Sequence, residues 1–219
     1  MASVTIKSKI NDSITIIKEA LLIHKNKIAV SCSFGKDSIV TTHLTLQLYK
    51  DIPVIVVLTK YKPEETINYM KKIRRLWNLN LEIYQSDVQI NPFLYITNPD
   101  ECCRILKVEP MKEALKNRNG WITGLRNTEN VIRKNYQAIE KKGNIFKYNP
   151  ILKWTELDVW KYIAINQIPT HPWYSLGYRS IGCEPCTKIV SDDEPERNGR
   201  WVGTSKCGGE CGIHTKRLK

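Results

Sequence analysis

A run of about 20 consecutive apolar residues, the length a bilayer-spanning helix needs, occurs nowhere in the 219-residue sequence. Its first thirty residues mix polar and apolar side chains instead of carrying the hydrophobic block of a secretory leader. A cytoplasmic protein without a membrane partner is expected. Internal repeats, low-complexity stretches and an obvious linker are also missing, and 42% hydrophobic with 26% charged residues excludes a globally disordered chain. The expectation is one domain over residues 1–219, long enough to bury a sizeable core, with a mobile tail of roughly 15 residues at its end. Acidic residues are few, 22 against 34 Lys and Arg, and the net charge of +12 points to anionic partners: nucleic acid, an acidic protein or a phosphorylated small molecule. An even, spaced set of cysteines is lacking too. Seven cysteines with Cys102 and Cys103 adjacent make a poor disulfide framework, so metal ligation or thiol chemistry is expected.

What is present is a strand–helix alternation. Residues 14–24 have helical apolar spacing, and Ile28-Ala29-Val30 makes a short strand. Residues from Ile39 to Tyr49 favour a second helix. The continuous apolar run Pro53 to Leu58 reads as a strand buried on both faces of a parallel sheet. Pro63, Glu64 and Glu65 start a third helix, Leu81 to Tyr84 is a third strand, and Trp121-Ile122-Thr123 a fourth. Helices of about 10–15 residues between strands imply βαβ units, hence an α/β fold with an open, mostly parallel sheet flanked by helices. Thr155 is placed to cap a helix carrying Leu157, Trp160 and Ile163, with Asp158 at its third position. Beyond Pro169 about fifty residues have little periodicity, which predicts an irregular cysteine-rich segment organised by something other than a core.

The segment Ser31-Cys32-Ser33-Phe34-Gly35-Lys36-Asp37-Ser38 joins the first strand to a helix. Hydroxyls and backbone N–H groups at a helix N-terminus form an anion site, and in open α/β sheets ligands bind beyond the carboxyl ends of the strands. It is not a Walker loop, since the second glycine and the Gly-Lys-Ser/Thr order are absent. The segment resembles the pyrophosphate loop of adenylylating enzymes and their sulfonucleotide-reducing relatives, which makes Ser33, Phe34, Gly35, Lys36, Asp37 and Ser38 candidate substrate contacts.

Cys102-Cys103 and Cys183-x-x-Cys186 supply four thiolates in two pairs, suited to tetrahedral Zn²⁺ or to a [4Fe–4S] cluster. Adjacent residues do not easily offer both sulfurs to one small zinc ion, whereas a cubane spreads its ligand sites, so the tandem favours the cluster. One zinc clamp beside two unrelated thiols is the plainer alternative. Near the C-terminus, Cys211 lies among glycines and the cationic candidates His214, Lys216 and Arg217, beyond any expected core element. Nearby cations lower a thiol pKa, so Cys211 is a candidate nucleophile. Cys207 can resolve a disulfide with it, ligate metal or do nothing.

Taken together, Glu101-Cys102-Cys103-x-x-x-Lys107-Val108-x-Pro110, Trp121-Ile122-Thr123-Gly124-Leu125-Arg126, Trp154-Thr155-Glu156-Leu157-Asp158, His171-Pro172-Trp173-Tyr174, Gly177 to Thr187, Glu196-Arg197-x-Gly199-Arg200-Trp201 and Glu210-Cys211-Gly212-Ile213-His214 resemble, in order, segments of the assimilatory sulfonucleotide reductases. The likeness is to the phosphoadenylyl-sulfate and adenylyl-sulfate reductase family, in its tandem-cysteine iron–sulfur branch. It implies an adenine nucleotide α-hydrolase-like fold and reduction of an activated sulfate to sulfite. It further implies that Cys211 forms an S-sulfonate, that a thioredoxin- or glutaredoxin-like dithiol releases sulfite, and that Lys107, Arg197, Arg200 and His214 stabilise the transferring group. Cys102, Cys103, Cys183 and Cys186 would hold the cluster, and Gly124 and Arg126 would contact substrate.

The chain departs from that pattern where the family has Leu-Asp-Thr-Gly after the second strand. Here the segment reads Leu58-Thr59-Lys60-Tyr61-Lys62-Pro63. Lys60 and Lys62 can bind an extra phosphate, which tilts the expectation toward the 3′-phosphorylated substrate. Asn127 replaces a second arginine. An adenylylating sulfurtransferase or pyrophosphatase acting on tRNA or DNA is the alternative enzyme, and a noncatalytic metal scaffold binding nucleic acid a third reading. Nucleic acid is not the expected partner, and a homo-oligomer stays open.

Overall fold

The computed structural model describes residues 5–206 and 209–215. Six strands, β1 (Ile28–Ser31), β2 (Val54–Leu58), β3 (Leu81–Gln85), β4 (Gly120–Ile122), β5 (Ile139–Lys142) and β6 (Ile145–Tyr148), form one sheet in the order β3-β2-β1-β4-β6-β5. Its helices are α1 (Ile6–His24), α2 (Lys36–Leu46), α3 (Glu64–Trp77), the short α4 (Leu94–Thr97) and α5 (Pro99–Cys103), then α6 (Glu109–Leu115) and α7 (Glu156–Ile165). All pairings are parallel except the β5–β6 hairpin.

Alternate strand residues face opposite layers, as the two-residue period of a strand requires. Ile28, Val30, Val54, Val56 and Ile122 pack with Ile17 and Ala20 of α1, Ile39 and Leu44 of α2, Met70 and Ile73 of α3 and Val159 and Ile163 of α7. Ala29, Ile55 and Trp121 turn the other way, onto Met111, Ala114 and Leu115 of α6. The open sheet flanked by helices, the four expected strands and the expected helices are therefore present. Thr155 caps α7 through a full capping box: its side chain accepts the Asp158 N–H, and Asp158 accepts the Thr155 N–H at 2.7 Å.

The hairpin is the element the sequence did not announce. Its strands read Ile-Glu-Lys-Lys and Ile-Phe-Lys-Tyr, too charged to look like sheet interior. Lys147 is nevertheless fully buried, with its ammonium 3.3 Å from Glu140 and over the rings of Trp121 and Tyr136. Burial lowers its pKa to about 8.

Beyond Pro169 the described chain forms only three-residue 3₁₀ turns and one isolated bridge between Thr187 and Arg200. This irregular segment lies across the carboxyl ends of the strands. Among the described residues no helix is long and apolar enough to cross a membrane.

Candidate functional site

The sheet order turns around β1: β2 and β3 extend to one side and β4 to the other, so a crevice opens at the carboxyl ends of β1 and β4. It is a cleft of about 1100 Å³, open mouth included, walled by the β1–α2 loop, Thr123 and Gly124, Lys107, Tyr174, Gly182 and the 197–214 region. Gly124 is required here. A Cβ on it would lie 2.7 Å from the Asp37 carbonyl oxygen, so only glycine lets the end of β4 meet the first turn of α2.

Within the loop, Ser38 Oγ accepts the Ser33 N–H at 3.1 Å and lies 3.0 Å from the Gly35 carbonyl. Ser33, Gly35, Lys36, Asp37 and Ser38 line the cleft. Phe34 does not. Its backbone is left-handed at φ +64°, a strained setting for a bulky residue, and its ring is buried edge-on against Tyr69. The Lys36 N–H donates to the Tyr174 hydroxyl at 2.6 Å, so a side chain already covers the first amide of α2.

The cations fall into two groups. Lys36 donates to Glu196 at 2.7 Å and to the Arg179 carbonyl. Arg126, fully buried, pairs with Asp37 at 2.5 Å and with both oxygens of Glu196 at 2.7 Å. It does not reach the cleft wall: it supports Asp37 from behind, correcting its expected place as a substrate contact. Arg133 pairs with Glu129 and Glu210, and Arg197 with Glu210 at 3.2 Å. Asp37, Glu129 and Glu196 converge within 4.8 Å, but these four cations already neutralise them, leaving no net negative charge for a metal ion.

In the second group, Lys62, Lys107 and Arg200 line the cleft and form no ion pair among the described residues. Gly182 admits Arg200, because a Cβ there would stand 2.0 Å from its guanidinium. Burial lowers Lys62 to about 8. Burial also opposes the charge of Lys107, but the sulfurs of Cys183, Cys103 and Cys211 outweigh it and hold this ammonium above the usual lysine range. Lys60, by contrast, is exposed with its ammonium 3.4 Å from the Ile90 carbonyl and contributes nothing to the cleft wall.

Beside the cleft lies a smaller cavity walled by Cys102, Cys103, Cys183 and Cys186 with Tyr61, Leu106 and Trp201. Asn98 caps α5 by accepting the Glu101 N–H, and a π turn over Arg104–Val108 widens the helix just after the tandem cysteines. Both tandem residues and Lys107 thereby border one space, and Lys107 and Trp201 border the cleft as well. Zinc held at about 2.3 Å would draw its sulfurs to about 3.8 Å of one another. Among the described residues no three of these sulfurs lie within 4.8 Å of one another. Thr59 Oγ1 lies 3.2 Å from the Cys183 sulfur. Burial raises Cys102 to about 11.

Cys211 is half-buried at the junction of cleft and cysteine cavity, where it packs against Cys103, Cys183, Cys186 and Trp201. Gly209 to Thr215 is thus docked onto the site, where a segment standing clear of any core was expected. The Cys211 thiol is pushed up, first by its hydrogen bond with Cys103 and then by burial, while Cys103 falls to about 6 as the partner that carries the charge. Neighbouring cations do not win at Cys211 in this arrangement. His214 is no cation either: burial and the charges of Lys147, Arg133 and Arg197 hold it well below the usual range, and it stacks on Trp121 at 5.7 Å. Cys207, Lys216 and Arg217 lie outside the described residues.

Sequence reasoning did not single out Glu129, Arg133, Tyr174, Glu196 or Glu210 as members of the site. Glu129 and Arg133 are spaced i, i+4 around a single 3₁₀ turn, Val131–Arg133, too short to leave a periodic pattern. Arg197 Nε, Trp201 Nε1 and His214 Nδ1 are buried without a hydrogen-bond partner among the described residues, and all three residues border the cleft. Buried polar atoms are ordinarily paired, so these three are available to a polar ligand or to water.

Residues 27–189 match the model of the phosphoadenosine phosphosulfate reductase domain. The chain is similar to an "Adenosine 5'-phosphosulfate reductase" of Bacillus cereus (strain 03BB102), 33% identical over 212 residues that cover 92% of this chain and 90% of the relative. Among solved structures it is similar to phosphoadenylyl-sulfate reductase from Candida auris, with a TM-score of 0.70, 22% identity, and 87% and 98% of the two chains covered. FMN adenylyltransferase of Candida glabrata in complex with FAD and pyrophosphate matches at a TM-score of 0.67, 15% identity, covering 98% and 76%. Both structural likenesses show the fold, that of the adenine nucleotide α-hydrolases.

Proposed function

The chain belongs to the phosphoadenosine phosphosulfate reductase domain family of sulfonucleotide reductases, and from that premise we propose that it reduces adenylyl sulfate to sulfite and AMP in sulfate assimilation. The observation that carries the reading is the place of Cys211: at the mouth of the cysteine cavity, in a cleft where Lys62, Lys107 and Arg200 carry charge not spent on carboxylates. Those three cations gather at one end, enough for one anionic group next to the thiol.

The cleft orients the nucleotide between the β1–α2 loop and Gly124, with the sulfate toward Cys211. Once Cys211 has given its thiol proton to solvent, its sulfur attacks the sulfate sulfur, the bond from that sulfur to the bridging oxygen breaks, and AMP leaves with the electron pair. Negative charge grows on the oxygens around sulfur and on the leaving phosphate, where Lys107, Lys62 and Arg200 stabilise it. The orphaned Arg197 Nε–H and Trp201 Nε1–H can supply further donors. A thioredoxin- or glutaredoxin-like dithiol then attacks Cys211 Sγ. Sulfite departs with the S–S bonding pair, and the second thiol of the dithiol resolves the mixed disulfide and restores Cys211. The two electrons come from that dithiol.

Cys102, Cys103, Cys183 and Cys186, which wall one cavity, are the residues that would hold a [4Fe–4S] cluster. When bound, it supplies a fixed, polarisable charge beside Lys107. Without it, Lys107 already links the two cavities and directs its charge toward Cys103 and Cys211.

The absence of Lys60 from the cleft wall removes half of the argument for a 3′-phosphate, and this favours the unphosphorylated substrate. Anaerobic assays with reduced thioredoxin should yield sulfite from adenylyl sulfate at a higher kcat/KM than from its 3′-phosphorylated form, and none with Cys211→Ser. Sulfite from neither compound overturns the reading. Release of pyrophosphate from ATP in place of sulfite would support a sulfurtransferase.

A further inference from the structure

The segment bearing Cys211 is held on both sides. Upstream, the Glu210 carboxylate accepts from Arg133 and Arg197 inside the cleft and from the Cys211 N–H at 2.7 Å. Downstream, the hold comes from outside the cleft. The His214 carbonyl oxygen accepts from the Tyr136 hydroxyl and from the Lys142 ammonium, both at 2.9 Å. Tyr136 precedes β5 and Lys142 ends it, so both are carried by the hairpin that pairs with the central sheet. The ammonium also lies 5.6 Å over the Tyr136 ring. Among the described residues Lys142 forms no ion pair, which leaves this carbonyl as its strong partner. Between the two holds the chain is stiff: Gly212–His214 is a single 3₁₀ turn, with the His214 N–H donating to the Cys211 carbonyl at 3.0 Å. Ile213 packs on the Met111 and Trp121 layer. A pull on His214 O therefore reaches Cys211.

We propose that Tyr136 and Lys142 are positioning residues that clamp the Cys211 segment in its docked form from outside the cleft, and so set how often Cys211 leaves it to meet a dithiol partner. The proposal rests on the reductase reading for its purpose but not for its test. Neither residue lines the cleft, so substrate contacts stay intact when they are changed.

The test is the rate of iodoacetamide alkylation at Cys211 in cluster-replete enzyme without substrate, with sites resolved by peptide fragmentation. Exposure of a docked thiol scales with the open fraction. Losing one neutral hydrogen bond should raise the Cys211 rate about fivefold in Tyr136→Phe, and losing a charged one about tenfold or more in Lys142→Met. Lys142→Arg should return it toward the wild-type rate, with melting temperature and cluster absorbance unchanged throughout. In turnover the same two variants should form S-sulfonate more slowly while the thioredoxin step quickens with the larger open fraction. A change below about twofold in both variants overturns the clamp, on the same scale of one lost hydrogen bond. Because alkylation needs no turnover, a wild-type enzyme that makes no S-sulfonate would sink the reductase reading and leave the clamp to be decided by its own result.

Discussion

Replacing Glu210 with glutamine keeps the shape of the side chain and removes its charge. In the structure that carboxylate takes two bonds from Arg133, one from Arg197 at 3.2 Å and one from the Cys211 N–H. Arg133 keeps Glu129 as a partner, but Arg197 is left with Glu129 at 3.9 Å. Removing one member of a buried ion pair typically costs about 3–5 kcal/mol. The remaining Glu129 contact and the water that enters when the segment lifts reduce this to about 2–3 kcal/mol, roughly a 30- to 150-fold shift toward the undocked form. Single-turnover formation of the S-sulfonate in Glu210→Gln should slow by up to that factor, and Cys211 alkylation should quicken by a similar one. The melting temperature should move little, since undocking is local. Burial alone would raise the Glu210 pKa, but Arg197 and Arg133 overcome it and hold the carboxyl far below the usual range. Its contribution is thus complete above the unfolded value near pH 4.5 and fades only in stronger acid, so the wild type should stay docked at pH 5. Wild-type rates of both S-sulfonate formation and alkylation in the glutamine variant would refute this reasoning.

Lys62→Met should lower kcat/KM for adenylyl sulfate by about 10- to 100-fold, because it removes a half-buried charge facing the sulfate end, whereas Lys60→Ala should leave steady-state kinetics with either sulfonucleotide unchanged. Gly124→Ala forces a methyl against the Asp37 carbonyl and should cost about 1–3 kcal/mol by denaturant melts, with a raised KM from the displaced loop. His171 is buried and neutral, facing Thr66 Oγ1 through Nε2 and accepting the Trp173 N–H, and burial with the Lys62 charge lowers its pKa to about 4. The stability it gives is present above its unfolded pKa near 6.5 and lost as pH falls toward 4, at most ~3 kcal/mol. Urea midpoints from pH 7 to 4.5 should fall for the wild type and flatten for His171→Gln.

The hydrophobic pattern carried the frame of the fold. The strand Val54–Leu58, buried on both faces over Val54–Val56, and the Thr155–Asp158 capping box are local signals with local physics, and both stand where the sequence puts them. The cysteine set was legible as a set: residue type and spacing singled out Cys102, Cys103, Cys183 and Cys186, and these four wall one cavity. The hairpin was not, because Lys147 is buried through partners as remote in sequence as Trp121. The ion-pair network under the cleft was hidden as well. Asp37, Arg126 and Glu196 meet across 159 residues of chain, a juxtaposition that no periodicity encodes. Lys60 and Lys62, two positions apart, looked equivalent in sequence. The loop turns one outward and sets the other, half-buried, in the cleft wall with Lys107 and Arg200.

The central claim is that Cys211 becomes covalently sulfonated. Cluster-replete enzyme mixed anaerobically with adenylyl sulfate, without any dithiol, and examined by intact-mass and fragment spectrometry should gain one SO₃ unit on Cys211, and added thioredoxin should remove it as sulfite. No gain, or a gain on another cysteine that survives Cys211→Ser, would contradict the account.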